Sequence, residues 1–213
     1  MTTGRMEAFS DGVLAIIITI MVLELRLPDG SSFGSLRGIL PSLLAYVLSF
    51  VFIGIYWANH HHLLKTVDHV TGGILWANLD LLFWLSLFPF ATRWMAVEHF
   101  ALAPVVVYGA VLLLAGAAYY LLQQVIIRSQ GPQSALRAAL GRDLKGKASP
   151  TLFAVGIAVA FLSTGVALAF YAFVAVMWLV PDRRLEPVID GHPSDARNCA
   201  PGQARERSAG ARV

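Results

Sequence analysis

The chain has 213 residues, 57% of them hydrophobic and only 14% charged, with a net charge of +3 and a mean hydropathy of +0.65. Soluble domains carry about 45–50% apolar and about 25% charged residues, so this balance points away from them and toward a polytopic membrane protein. The single cysteine, Cys199, excludes a disulfide framework and a cysteine metal site, and the modest charge gives no sign of nucleic-acid binding.

The predicted elements are all α-helical. A helix that crosses the bilayer core needs about 20 largely apolar residues, and the first such stretch is Glu7–Leu25, within "RMEAFSDGVLAIIITIMVLEL". A basic n-region and a small-residue cleavage site are missing, so it reads as a span and not as a signal peptide. Ser10 or Asp11 at a helix start would be a simple cap. Helix-forming residues precede them, however, and the helix is expected to begin near Thr3. Ser10 and Asp11 then lie inside its first turns and need partners. Further along, Ile16, Ile20 and Leu23 recur at helical spacing and draw one narrow line. Phe9 and Val13 extend it, and Thr19 lies about 60° from Ile16 around the axis. On pattern alone such a line faces lipid or a neighbouring helix, with a pore lining as the sharper alternative.

The second span, Ile39–Asn59, runs into "YWANHHH", which supplies Trp57, Asn59, His60, His61 and His62. The third, Val70–Trp94, carries Asn78, Asp80, Trp84, Ser86 and Pro89. The end of the second and the start of the third lie on the same side as Asp11. A network of Arg5, Asp11, His60 and Asn78 is therefore geometrically open, each polar pair contributing roughly 0.6–2 kcal/mol. Adjacent histidines on a helix point about 100° apart, so three in a row do not converge on one ion. His60 would need a ligand at Leu63 or Leu64, and H-E-x-x-H is absent. Packing or an interfacial position is preferred over metal binding.

A fourth span covers Pro104–Ile127. The stretch "RSQGPQSALRAALGRDLKGKASP" reads as a loop with room for a short surface helix. Thr151–Val180 then runs for 30 residues without a formal charge. As one helix it would measure about 45 Å, too long for a hydrocarbon core of about 30 Å, and Ser163-Thr164-Gly165 offers a break. With six spans and the N-terminus inside, every basic residue except Arg26, Arg37 and Arg93 falls on the inner side. With five spans the tail's six arginines would lie outside and the bias would nearly vanish. The positive-inside rule selects six spans with both termini cytoplasmic. The Pro-, Gly-, Ala- and Arg-rich tail beyond Pro181 is expected to be disordered.

No G-x-S-x-G, P-loop or pair of carboxylates at one membrane depth occurs, so an enzyme is not expected. The potassium-filter sequence T-V-G-Y-G is missing as well, so any ion pathway must be built another way.

"RMEAFSDGVLAIIIT" resembles the R-x-x-x-F-S-D signature of the transmembrane protein 175 family of potassium channels, matching at Arg5, Phe9, Ser10 and Asp11. "YWANHH" resembles the family's W-x-x-H, here Trp57 and His60. "NLDLLFWLSLFPF" resembles its third span, with Asn78, Pro89 and Phe90, and "FLSTGVALAFYAFVAVMWLVP" its closing helix pair. The likeness covers nearly all of residues 4–184. It implies a six-helix channel unit over 1–184 and leaves out the tail, which composition alone marks as a disordered cytoplasmic segment over 185–213. The first helix of each unit would line a central pore, and one unit per chain implies a homotetramer in the plasma membrane. The family's constriction maps to Ile16, further pore positions to Ile20 and Leu23, and the hydroxyl associated with selectivity to Thr19. Arg5, Phe9, Ser10 and Asp11 would bind the first helix to the second and third. The implied function is a cation channel moderately selective for potassium over sodium. It would have no cofactor, no metal beyond permeating potassium, no organic substrate, and no partner beyond its own copies and membrane lipid. The alternative is a proton-coupled secondary transporter, for which Asp80 is the carboxylate at useful depth. A purely structural or assembly subunit is a third reading.

Overall fold

The computed structural model describes residues 2–67, 69–130 and 144–179. The linker over 131–143 and the tail over 185–213 lie outside the described residues. Among the described residues, seven α-helices make six membrane passes: α1 (Thr3–Leu23), α2 (Leu36–Lys65), α3 (Gly72–Ser86) and α4 (Phe88–Val97), α5 (Leu102–Gln130), α6 (Leu144–Ala160) and α7 (Thr164–Leu179). A short 3-10 turn, Phe33–Ser35, leads into α2. Among the described residues there is no strand.

The third pass is one apolar segment, Gly72–Val97, divided into α3 and α4 at Leu87. Pro89 accounts for the division, because it has no N–H to give to the preceding turn and is tolerated only near a helix start. Thr71 opens α3 by accepting the Ile74 N–H with its side chain. The uncharged stretch does break where Ser163 was expected to break it, but α6 begins at Leu144, inside what reads as a polar linker, and runs through Pro150. The fifth pass is thereby 17 residues long, and the surplus lies at its polar end. Likewise α2 continues past Asn59 to Lys65, so the three histidines are helical.

The centre of the bundle is a pack of Leu, Ile, Val, Ala and aromatic side chains drawn from every helix. Helix α5 packs against α3, α4, α6 and α7, while α1 lies against α2, α3 and α4. Tyr171 of α7 comes close to the backbones of both α5 and α6. A Cβ on Gly109 would meet the Tyr171 hydroxyl at 2.0 Å, and one on Gly156 would meet its ring at 2.6 Å. Tyr171 fills the space these glycines leave and donates a 3.5 Å hydrogen bond to the Val105 carbonyl. At the other end of the bundle, Thr3 donates to the Val67 carbonyl at 3.3 Å, and the Gln130 amide donates to the Thr66 carbonyl. The beginning of α1, the end of α2 and the end of α5 therefore meet at one level.

Candidate functional site

Helix α1 has two faces with opposite surroundings. Leu14, Ile17 and Met21 are 1%, 3% and 3% exposed, whereas Ile16, Ile20 and Leu23 are 60%, 42% and 77% exposed. Met6 and Ser10 continue the buried face, and Gly12, Ala15 and Thr19 continue the open one. Both faces are equally apolar, which is why hydropathy alone does not separate them. What marks the inner end of the helix is a set of polar contacts to the neighbouring helices.

Two of these contacts lie on adjacent turns. Asp11 Oδ1 accepts the indole N–H of Trp57 at 3.0 Å. One turn earlier, Glu7 Oε1 accepts from His61 Nδ1 at 2.6 Å. Residues 7 and 11 on α1 and 57 and 61 on α2 are each i, i+4 pairs, so two antiparallel helices present them to each other in register. The Trp57 and His61 rings also stack, with centroids 6.2 Å apart.

Deeper in the bundle a second chain joins three helices. His60 Nε2 donates to Asn78 Oδ1 at 2.7 Å, and Asn78 Nδ2 donates to Ser10 Oγ at 3.0 Å. The Ser10 hydroxyl donates in turn to the Met6 carbonyl at 2.9 Å. With His60 as the Nε2–H tautomer every donor in this chain has an acceptor. The tautomer and the amide orientation follow from that satisfaction. His60, Asn78 and Ser10 are all buried. His60 Nδ1 is left as a buried acceptor without a partner, which costs less than an orphaned donor on a charged ring.

The structure thus brings together Ser10, His60 and Asn78 in one chain and Asp11 with Trp57 in another. It does not join Asp11 to His60 and Asn78 in a single network. Arg5 and Phe9 are exposed and take part in neither chain. The three histidines go separate ways: His60 inward to Asn78, His61 to Glu7, and His62 edge-on to His61 with ring centroids 5.7 Å apart. Among the described residues no three His, Cys, Asp or Glu side chains converge as metal ligands. Thr19 lies on the open face and donates its hydroxyl proton to the Ala15 carbonyl at 2.8 Å. Asp80 is half-buried on α3, about 200° around the axis from Asn78 and so on the side away from the α1 bridge.

Among the contacts not foreseen from the sequence, three involve α1 or the helices around it. Glu7–His61 was signalled only by the matched i, i+4 spacing. The second is an ion pair between Glu24 and Arg93 at the far end of α1. The third is a buried hydroxyl cluster in which Ser49 Oγ lies 2.7 Å from Thr92 Oγ1 and 3.0 Å from the Tyr108 hydroxyl. Isolated hydroxyls in apolar helices give no sequence signal of which neighbour they meet.

With this geometry in hand, comparison with known proteins is specific. Residues 5–89, which hold both inner bridges, match the family model described as the endosomal/lysosomal potassium channel TMEM175. A protein named a potassium channel from Chryseobacterium sp. (strain P1-3) is 55% identical over 186 residues, covering 87% of this chain and 97% of that protein. Another so named, from Streptomyces collinus, is 30% identical over 190 residues, covering 83% of this chain and 91% of its own length. The crystal structure of a lysosomal potassium-selective channel TMEM175 homolog from Chamaesiphon minutus superposes with a TM-score of 0.74 at 28% identity, covering 84% of this chain and 96% of that one. A six-pass helical bundle in a membrane, its first helix bridged to the second and third by polar contacts and matched along nearly the whole length of such relatives, belongs to the TMEM175 family.

Proposed function

We propose that four copies of this chain form a moderately potassium-selective channel in the cell membrane, with both termini cytoplasmic and the open face of α1 lining a central pore. The observation that carries the reading is the two-faced first helix. Ile16, Ile20 and Leu23 stay largely exposed in a single subunit while the opposite face is sealed into the bundle. The inner bridges through Ser10, Asp11, Trp57, His60 and Asn78 hold that rotation.

In this reading four-fold rings of Ile16, Ile20 and Leu23 make hydrophobic constrictions. A narrow apolar ring disfavours a continuous water column, so it gates by dewetting without any titrating group. Ions that pass must shed part of their hydration. Thr19 sits among these rings, and its hydroxyl proton is already engaged by Ala15. The oxygen lone pairs are therefore left to face a partly dehydrated cation. Potassium gives up water at lower cost than sodium, which yields moderate selectivity without a carbonyl filter. The pore needs no cofactor and no organic substrate; potassium is the permeant species, and lipid is the other contact of the bundle. An exposed Arg5 and Phe9 at the inner end are free to meet neighbouring copies.

The test is cation flux from purified protein in liposomes, with potassium and sodium gradients compared and the subunit number measured on the same sample. The reading requires potassium-preferring flux from a tetramer. Flux that appears only against an opposing proton gradient would replace it with the coupled transporter.

A further inference from the structure

The far end of α1 is built differently from the near end. Glu24 closes the helix, its N–H bonding to the Ile20 carbonyl at 3.1 Å, directly after Leu23. A carboxylate at a helix C-terminus opposes the helix dipole, and the last turn of α1 holds no basic residue. The missing positive charge comes from another helix: Arg93 of α4 ion-pairs with Glu24.

Helix α4 is a firm base for that contact. Thr92, the neighbour of Arg93 in sequence, is tied to Ser49 of α2 at 2.7 Å, and Ser49 lies 3.0 Å from Tyr108 of α5. The third pass divides at Leu87, so α4 is a helix of its own, and the hydroxyl cluster ties it to α2 and α5. Helix α1 already packs against α4 here, with Met21 buried, and the ion pair adds a polar tie at its very end. A small cleft lined by Met21, Glu24, Tyr46, Thr92 and Arg93 lies where α1, α2 and α4 meet, and both partners of the ion pair line it.

We infer that Arg93 is a positioning residue for the outer constriction: its ion pair with Glu24 holds the last turn of α1, and with it Leu23, against the α4 arm. The inference rests on the reading of α1 as the pore helix. Leu23 is the pore-face residue next to Glu24, so a change in the pair becomes a change in the ring that Leu23 forms. Arg26 lines the same cleft without a bond to Glu24 and serves as the control.

The test uses the full-length channel with Arg93→Gln, Glu24→Gln, Arg93→Lys, Arg26→Gln and the reversed pair Glu24→Arg/Arg93→Glu. Amide exchange over residues 20–25, read by mass spectrometry in detergent, should rise about two- to fivefold in each Gln variant at positions 24 and 93, the factor expected of a partly exposed ion pair. It should return toward wild type in the reversed pair and stay near it in Arg93→Lys and Arg26→Gln. Potassium flux in liposomes should change at least about twofold in the same two variants and recover in the reversed pair. Unchanged exchange in Arg93→Gln overturns the inference. So does altered exchange with unaltered flux, provided Ile16→Asn moves the flux in the same preparation. If neither wild type nor Ile16→Asn conducts, the pore reading fails and the inference falls with it.

Discussion

Asn78→Ala removes the middle of the chain that joins α1, α2 and α3. Asn78 accepts from His60 at 2.7 Å and donates to Ser10 at 3.0 Å, both inside the bundle. Interhelical hydrogen bonds in membrane proteins average about 0.6 kcal/mol and reach about 1.7. Losing two of them predicts a destabilisation of about 1–3 kcal/mol. Asn78→Leu keeps the volume and should lose about as much, because the His60 N–H is still stranded. Ser10→Ala breaks only the second bond and should cost about half. The double variant Ser10→Ala/Asn78→Ala should then fall short of the sum of the singles by the value of the shared bond, about 0.6–1.7 kcal/mol. The assay is unfolding in mixed micelles by SDS titration, followed by circular dichroism. Additive losses, or an Asn78→Leu protein as stable as wild type, would refute the claim that this chain fixes the rotation of α1.

Thr19→Ala should leave stability within about 0.5 kcal/mol, since the hydroxyl is on the open face and bonds only within its own helix; bi-ionic reversal potentials should show a lower potassium-to-sodium ratio. Gly109→Ala should destabilise by about 1–3 kcal/mol or abolish expression, because its Cβ would fall 2.0 Å from the Tyr171 hydroxyl and 2.8 Å from Ile157; thermal melting in detergent checks it, and Gly109→Ala with Tyr171→Phe should recover part of the loss. Asp80→Asn should leave potassium flux unchanged, as Asp80 lies away from the α1 bridge; loss of flux together with loss of proton dependence would favour the coupled transporter.

The membrane passes were legible because apolar runs of sufficient length are set by the bilayer itself, as Glu7–Leu25 and Pro104–Ile127 illustrate. The start of α1 near Thr3 and the break at Ser163 were legible too, from residue types that form or interrupt helices. The division at Leu87 was not, although Pro89 marks it, since an apolar run hides an interruption that costs one hydrogen bond. The entry of α6 at Leu144 was hidden for the opposite reason: Lys145 and Lys147 are charged, Gly146 is a poor helix former, and Pro150 reads as a stop. At the site, residue types pointed to Ser10, Asp11, His60 and Asn78 as needing partners, while the pairing depended on rotations that sequence leaves free. Asp11 turned to Trp57 and Ser10 to Asn78, a difference of one position on α1 and about 100° of azimuth. The Glu24–Arg93 pair joins residues that are far apart in sequence, and neither position carries a pattern that names the other.

The most direct measurement is potassium efflux from liposomes containing wild-type protein or Ile16→Asn, with stability and subunit number matched. Ile16 is 60% exposed on the open face, so the polar side chain should be tolerated by the fold while wetting the ring it forms. A several-fold rise in potassium flux with retained assembly is the predicted result. Flux equal to wild type in a properly assembled Ile16→Asn protein would contradict a constriction at that position and, with it, the assignment of this face of α1 to the pore.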